Sequence, residues 1–340
     1  MTASGLAGPQ AGHAERLARL DQLAAERGIR LRTDVPLGPV TTLRVGGPAD
    51  RLAEPVTRDE LVATLDMARE AGVPWLVLGN GSNVVVADAG VRGLVIRNRA
   101  KSVTVAGTTL SADAGTPMAL LVKRATAAGL AGMEWGIAVP GTLGGAVWAN
   151  AGAHGGDMRE RVVDVGCWDA DAGRQTRLTN AECRFGYRES RFKHEAMIVL
   201  DARLELAPDV PQAVAARVTE FQALRQATQP LAEQNAGSVF RNPPGDFAGR
   251  LIEAAGLKGS REGSASVSER HANFIVTQRP GRAADVRRLA EVVRSDVLEA
   301  SGVALTFEIE FVGDWGDWGD WSGDWGDPGG ASGGDRMEDR

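Results

Sequence analysis

Apolar and polar positions change period several times along this chain, and each change marks an element. RDELVATLDMAREAG (58–72) repeats its apolar residues at helical spacing and stops on a glycine. PMALLVKRATAAG (117–129) does the same, with proline at its start and glycine at its end. A further helix is expected from about Ala14 to Arg27. TTLRVGGPADRLAEP (41–55) reads as strand with a Gly-Gly break, and WLVLGNGSNVVV (75–86) as two short apolar strands about a glycine turn. VRGLVIR, KSVTVAG and TLSADAG (91–115) read as consecutive short strands. Beyond a glycine-rich segment (136–156), strands return at 161–169 and 196–206, then a helix at 210–228. The last part offers a helix near 246–255, a strand at 272–277, a long amphipathic helix at 283–300 and a final strand at 304–312. This order is α+β with mixed strands and lacks a regular βαβ alternation.

Composition narrows the class. With 43% hydrophobic residues the 340-residue chain can bury a real core, and its 43 glycines imply many turns or backbone brought close to a ligand. Residues 313–340 hold eight acidic residues and two arginines, which accounts for the whole net charge of −6. The body is formally neutral and has no basic block or stripe, so a nucleic-acid partner is not expected. Two cysteines outside any CxxC pair and four scattered histidines make no metal site, and a reducing compartment is the default. Residues 1–12 are expected to be loose. The start of the chain lacks the apolar stretch of a secretory signal, and no run reaches the roughly 18–20 apolar residues of a spanning helix. A cytoplasmic protein without membrane contact is expected. The GDW-repeat tail reads as a disordered acidic appendage, or as a peptide that docks through tryptophan.

Three stretches carry candidate chemistry. In LGNGSNVVV (78–86), Gly79, Asn80, Gly81, Ser82 and Asn83 let backbone amides converge on one point, as binding a pyrophosphate requires. A plain hairpin turn remains the alternative, and a dinucleotide fingerprint is excluded because a strand, not a helix, follows. VPGTLGGAVWANAGAHGGD (139–157) has six glycines and few large side chains. It reads as backbone laid against a flat, extended ligand, with Thr142 and Asn150 as polar contacts, or else as a flexible linker. In AEQNAGSVFRNPPG (232–245), Ser238 is not a hydrolase nucleophile: Phe240 stands where G-x-S-x-G needs its second glycine. Alone it would be a turn serine, and Arg188 alone a surface residue beside Arg184 and Arg191.

Together the stretches resemble a family. TTLRVGGPA, LGNGSN, GMEWGIAVPGTLGGAVWANAGAHGG, CRFGYRESRF, NAGSVFRNP, AGLKG, VSERHANFIV and GVALTFEIEFVG follow one another as in UDP-N-acetylenolpyruvoylglucosamine reductases. The resemblance covers roughly residues 30–313. Ala138 departs from it, where glycine is commoner, and the tail is extra.

The resemblance implies an α+β fold: an FAD-binding domain of the vanillyl-alcohol-oxidase (PCMH) type in two subdomains, over about 30–207, and a smaller α+β substrate domain over 208–312. Residues 1–29 would be an N-terminal extension with its helix, and 313–340 the disordered tail. It implies NADPH-dependent reduction of UDP-N-acetylglucosamine enolpyruvate to UDP-N-acetylmuramate through non-covalent FAD, in a monomer. Ser238 would protonate C2, Arg188 would hold the substrate carboxylate and Glu308 would stabilise the enolate. Gly79 to Asn83, Pro140, Gly141, Thr142, Gly144, Gly145, Asn150, Ala151 and Gly152 would bind FAD. Tyr187, Asn242 and Lys258 would join Arg188 on the substrate. His154 and His271 are read as lining or supporting residues. RESRFKHEAMIVL runs on without the inserted tyrosine loop of some members, so the pocket should be more open. An FAD oxidase of the same fold and a non-catalytic binding protein are the rivals.

Overall fold

The computed structural model describes residues 9–316. Helix α1 (Pro9–Arg27) starts five residues before the expected Ala14. Helix α2 (Arg58–Ala71) owes its ends to local chemistry. The Thr57 hydroxyl accepts the Glu60 amide, a donor the first turn leaves open, and the Glu60 carboxylate reaches back to the Val56 amide just before the helix. Such a cap is worth about 1 kcal/mol. At the other end Gly72 takes φ +64°, which a side chain would resist.

Both helices lie on one face of a four-stranded sheet ordered Arg32–Pro36, Pro48–Ala53, Val91–Arg97, Trp75–Leu78. Leu20, Leu23, Leu61 and Leu65 are buried there, each contributing about 1.5–3 kcal/mol of transfer free energy. The N-terminal helix is therefore part of this first subdomain's core rather than an extension outside it. TTLRVGG is not strand. The Thr42 hydroxyl donates to the Asn235 carbonyl (2.7 Å) and its amide to that of Gly81 (3.1 Å), so this loop ties distant parts together.

The second subdomain is an antiparallel five-stranded sheet, ordered Arg174–Thr179, Val162–Asp169, Met197–Glu205, Thr109–Asp113, Val103–Ala106. Helices α3 (Met118–Ala127) and α4 (Leu143–Trp148) pack against it. Helix α4 lies inside the glycine-rich segment 139–157. Trp168 joins the subdomains: it is fully buried, meets Trp75 edge to face at 6.0 Å, and donates its indole N–H to Asp66 at 2.9 Å.

Helix α5 (Pro211–Thr228) was placed by its sequence at the head of the substrate domain. It packs instead on α3 and on the turn Glu134–Ala138, with Arg217 Nε 2.9 Å from the Glu134 carboxylate. Its sequence hides this, because only Val214 is buried along its length. The remaining unit has an antiparallel sheet ordered Gln234–Ser238, Phe274–Thr277, Ala265–Val267, Arg261–Glu262, covered by α6 (Ala248–Ala254) and α7 (Ala283–Ser301).

The expected final strand at 304–312 shrinks to Glu310–Val312, because the Arg241, Glu308 and Ile309 amides are drawn into bonds between 304–309 and the Ser238 loop. That strand pairs in parallel with Val84–Val86, while Trp75–Leu78 pairs with Val91–Arg97. The glycine turn at 79–83 is thus no hairpin. It is a crossing between two sheets. Trp315 sits edge to face on Phe311 and 4.7 Å over the Arg287 guanidinium. The rest of the tail and residues 1–8, with the expectations made for them, lie outside the described residues.

Candidate active site

The three units meet around a cavity of about 490 Å³. One part of its wall is the crossing Gly79–Asn83. These glycines are there for space. A Cβ on Gly79 would fall 2.3 Å from Thr142 Oγ1, and Gly81 takes φ +59° with Val40 and Thr41 backbone within 3.0 Å of its absent Cβ. Gly141, at φ +113°, faces Ser82 Oγ, and Asn80 Nδ2 donates to the Gly141 carbonyl at 3.4 Å. The two glycine clusters, sixty residues apart in sequence, therefore form one surface.

Pro140, Gly141, Thr142, Gly144, Gly145, Ala151 and Gly152 all line the cavity. Asn150 does not. It is buried, with its Nδ2 donating to the Gly186 carbonyl (2.7 Å) and to Asp157 (3.2 Å) and its Oδ1 accepting the Arg159 amide (2.9 Å). Its side chain holds the loop from behind. Its φ of +41° is one an asparagine tolerates.

Ser238, Arg188 and Glu308 reach the same cavity from separate segments. Arg188 lies in the tight turn Gly186–Glu189 at φ +55°. Its Nε is 2.8 Å from Glu308 Oε1 and its Nη2 donates to the Gly152 carbonyl at 2.9 Å. The Glu308 amide donates to the carbonyl of Val239, next to Ser238. Asn83 Nδ2 donates to the Glu308 carbonyl at 2.8 Å, fastening the glycine crossing to the acidic segment. A cation, a carboxylate and a hydroxyl thus converge beside a bed of bare backbone.

Tyr187, Asn242 and Lys258 lie outside the cavity wall. The Asn242 amide donates to the Tyr187 hydroxyl (3.3 Å), the Asn242 Oδ1 accepts the Ala248 amide at the start of α6, and Lys258 pairs with Glu253 (2.8 Å). His154 lines the cavity, stacked face to face on Phe221 at 4.5 Å. His271 is packed on Phe274, and burial lowers its pKa. Sequence reasoning missed Lys193, Arg225, Gln229 and Glu310, which also line the wall. The two-residue spacing of Glu308 and Glu310 was the signal for the last, while α5 gave no sign of which face Arg225 and Gln229 would meet. Among the described residues no group of three or more His, Cys, Asp or Glu could hold a metal, and no helix is long and apolar enough to cross a membrane.

Two family models match the chain: an FAD binding domain over residues 49–179 and the C-terminal domain of UDP-N-acetylenolpyruvoylglucosamine reductase over 229–312. UDP-N-acetylenolpyruvoylglucosamine reductase of Moorella thermoacetica is 46% identical over 300 residues, 87% of this chain and 99% of that one. A second such reductase, from Symbiobacterium thermophilum, is 44% identical, over 87% of this chain and 96% of that one. The crystal structure of the Thermus caldophilus enzyme superposes with a TM-score of 0.71 at 36% identity, covering 83% of this chain and 98% of that one. The fold is an FAD binding domain joined to a reductase C-terminal domain. The chain belongs to the UDP-N-acetylenolpyruvoylglucosamine reductase family, the FAD-dependent oxidoreductases of peptidoglycan synthesis.

Proposed function

We propose that this chain reduces the enolpyruvyl ether of UDP-N-acetylglucosamine to the lactyl ether of UDP-N-acetylmuramate, with NADPH as the electron source and FAD held non-covalently. The observation that carries the reading is the convergence of Ser238, Arg188 and Glu308 on one cavity bedded by glycine.

The bed fits FAD. Side chains are excluded at Gly79, Gly81 and Gly141, so a flat ligand can lie on backbone. Amides of Gly79 to Asn83, with Ser82 and Asn80, would hold the pyrophosphate, and Pro140 to Gly145 with Ala151 and Gly152 the remainder. Asn150 would act through the loop it braces. FAD, when bound, supplies the redox chemistry, carrying a hydride equivalent from NADPH to C3 of the enolpyruvyl group.

Negative charge then builds at C2 and on the substrate carboxylate. Arg188 has donors beyond those given to Glu308 and Gly152, and its fork suits a carboxylate. Glu308, already paired with that guanidinium, would stabilise the enolic form. Ser238 would deliver the proton to C2; a serine is a weak acid, but the enolate carbon is a strong base. Tyr187, Asn242 and Lys258 would contact the substrate outside the cavity wall. Residues 189–197 lead from the arginine turn to the strand Met197–Glu205 through one short 3-10 turn, and by the family resemblance NADPH and the UDP-sugar would use the site in turn. The reading also implies a monomer acting in the cytoplasm.

An anaerobic visible spectrum tests it. Flavin absorbance should bleach with NADPH and return with UDP-N-acetylglucosamine enolpyruvate. Recovery only on admitting air would instead make the protein an oxidase.

A further inference from the structure

A second ion pair stands in the cavity wall beside the first. Lys193 Nζ lies 3.3 Å from Glu310 Oε1, and their side chains are only 8% and 11% exposed. The ammonium also sits 4.2 Å over the Trp148 ring. Both charged residues line the cavity, as do Trp148 and the apolar Met197, Ile198 and Val199.

Its place is fixed by Asn83, the residue that also holds Glu308. Asn83 accepts the Glu310 amide on its carbonyl (2.9 Å) and donates its side chain to the Glu308 carbonyl. Two residues of extended chain span roughly 7 Å, so Glu310 lies near Glu308. Lys193 follows Arg188 by five residues. Arg241 and Glu189 are the other charged groups that act on Glu310. Stability does not account for the pair, since a buried ion pair usually gains little over an apolar one.

We propose that Lys193, held by Glu310 and the Trp148 face, stabilises the negative charge that the bound flavin gains on reduction, and so sets its reduction potential. The proposal rests on the reading that the redox end of FAD lies where Arg188, Glu308 and Ser238 meet. One hydride adds two electrons and one proton, so the reduced group carries one more negative charge. A fixed cation in a water-poor wall acts on that charge with little screening.

The test is the flavin reduction potential of the full-length, FAD-loaded protein, measured by anaerobic equilibration with a redox dye at about pH 8.5, because burial raises the Glu310 carboxyl above its ordinary value. Lys193→Met should disfavour the reduced form about tenfold, a fall of ~30 mV for a two-electron couple. Lys193→Arg should stay near wild type. Glu310→Gln should shift the potential upward, because the ammonium loses its counter-charge. A packing role would move both variants the same way, so opposite signs are the signature.

Lys193→Met within twofold of wild type, or Glu310→Gln unchanged or lower, would overturn the proposal. If Lys193→Met cannot retain FAD, Glu310→Gln decides alone. Half-reactions of wild type with NADPH and with the UDP-sugar are recorded alongside. Their failure would sink the functional reading and leave the dye titration intact.

Discussion

Arg188 and Glu308, 120 residues apart, form an ion pair with Nε 2.8 Å from Oε1, while the same guanidinium donates to the Gly152 carbonyl. One side chain thus bridges the acidic segment and the glycine bed. Lysine has a single ammonium and no fork. Arg188→Lys should keep FAD and lose about 10²–10³ in kcat/KM, the usual cost of one charge-stabilising donor. Flavin content by absorbance and steady-state kinetics check both halves. Full activity in the lysine variant would remove the fork from the mechanism.

Ser238 is adjacent to the carbonyl that accepts the Glu308 amide, and it reaches the cavity. Ser238→Ala should leave the bleaching of flavin by NADPH intact. Turnover of the enolpyruvyl substrate should drop by about 10²–10⁴, the range of a positioned proton donor. Stopped-flow traces of the two half-reactions separate these effects, and unchanged reoxidation would exclude Ser238 as donor.

A methyl group at Gly79 would fall 2.3 Å from Thr142 Oγ1. Gly79→Ala must therefore push the two glycine clusters apart. FAD affinity should fall at least about tenfold, ~1.4 kcal/mol, with the fold retained. Titration of FAD fluorescence into apoprotein measures it, and a Kd equal to wild type would mean that the cofactor does not lie on this surface.

Asp164 receives Arg203 Nε at 2.8 and 2.9 Å and also pairs with Arg177. Burial opposes its ionisation, but the two guanidinium groups outweigh burial and its pKa falls below the ordinary value. A depressed carboxylate pKa gives stability that is present above the unfolded value, about 3.9, and lost as pH falls through the folded one. Asp164→Asn should cost about 1–3 kcal/mol at pH 7. In urea melts the penalty should shrink below pH 4. A penalty equally large at acid pH would show that packing, not charge, is responsible.

Burial pushes the Cys167 thiol up to about 11 and the Cys183 thiol up to about 12. The thiolate is the reactive form, so at pH 8 both should resist a thiol reagent in the folded protein and label only on unfolding. Rapid native labelling of either would contradict their burial.

Local chemistry settled much of this protein from sequence. Thr57 and Gly72 mark the ends of α2 because caps are made by neighbours in the chain, and the order of motifs from TTLRVGGPA to GVALTFEIEFVG carried the family. Ser238, Arg188 and Glu308 were legible only through that order, for each alone resembles an ordinary turn or surface residue.

Tertiary structure decided what no neighbour could. Val84–Val86 found its partner at Glu310–Val312, more than 220 residues on, so the expected hairpin became a crossing between sheets. Asn150 turned its amide away from the cavity because Gly186 and Asp157 offered buried partners there. Helix α5 packed on α3 and the turn Glu134–Ala138 although its faces are nearly alike, and with it Arg225 and Gln229 entered the wall. Lys193 and Glu310 met for the same reason. Burial and long-range hydrogen bonding are chosen among all segments at once, whereas caps and periods are written within a few residues.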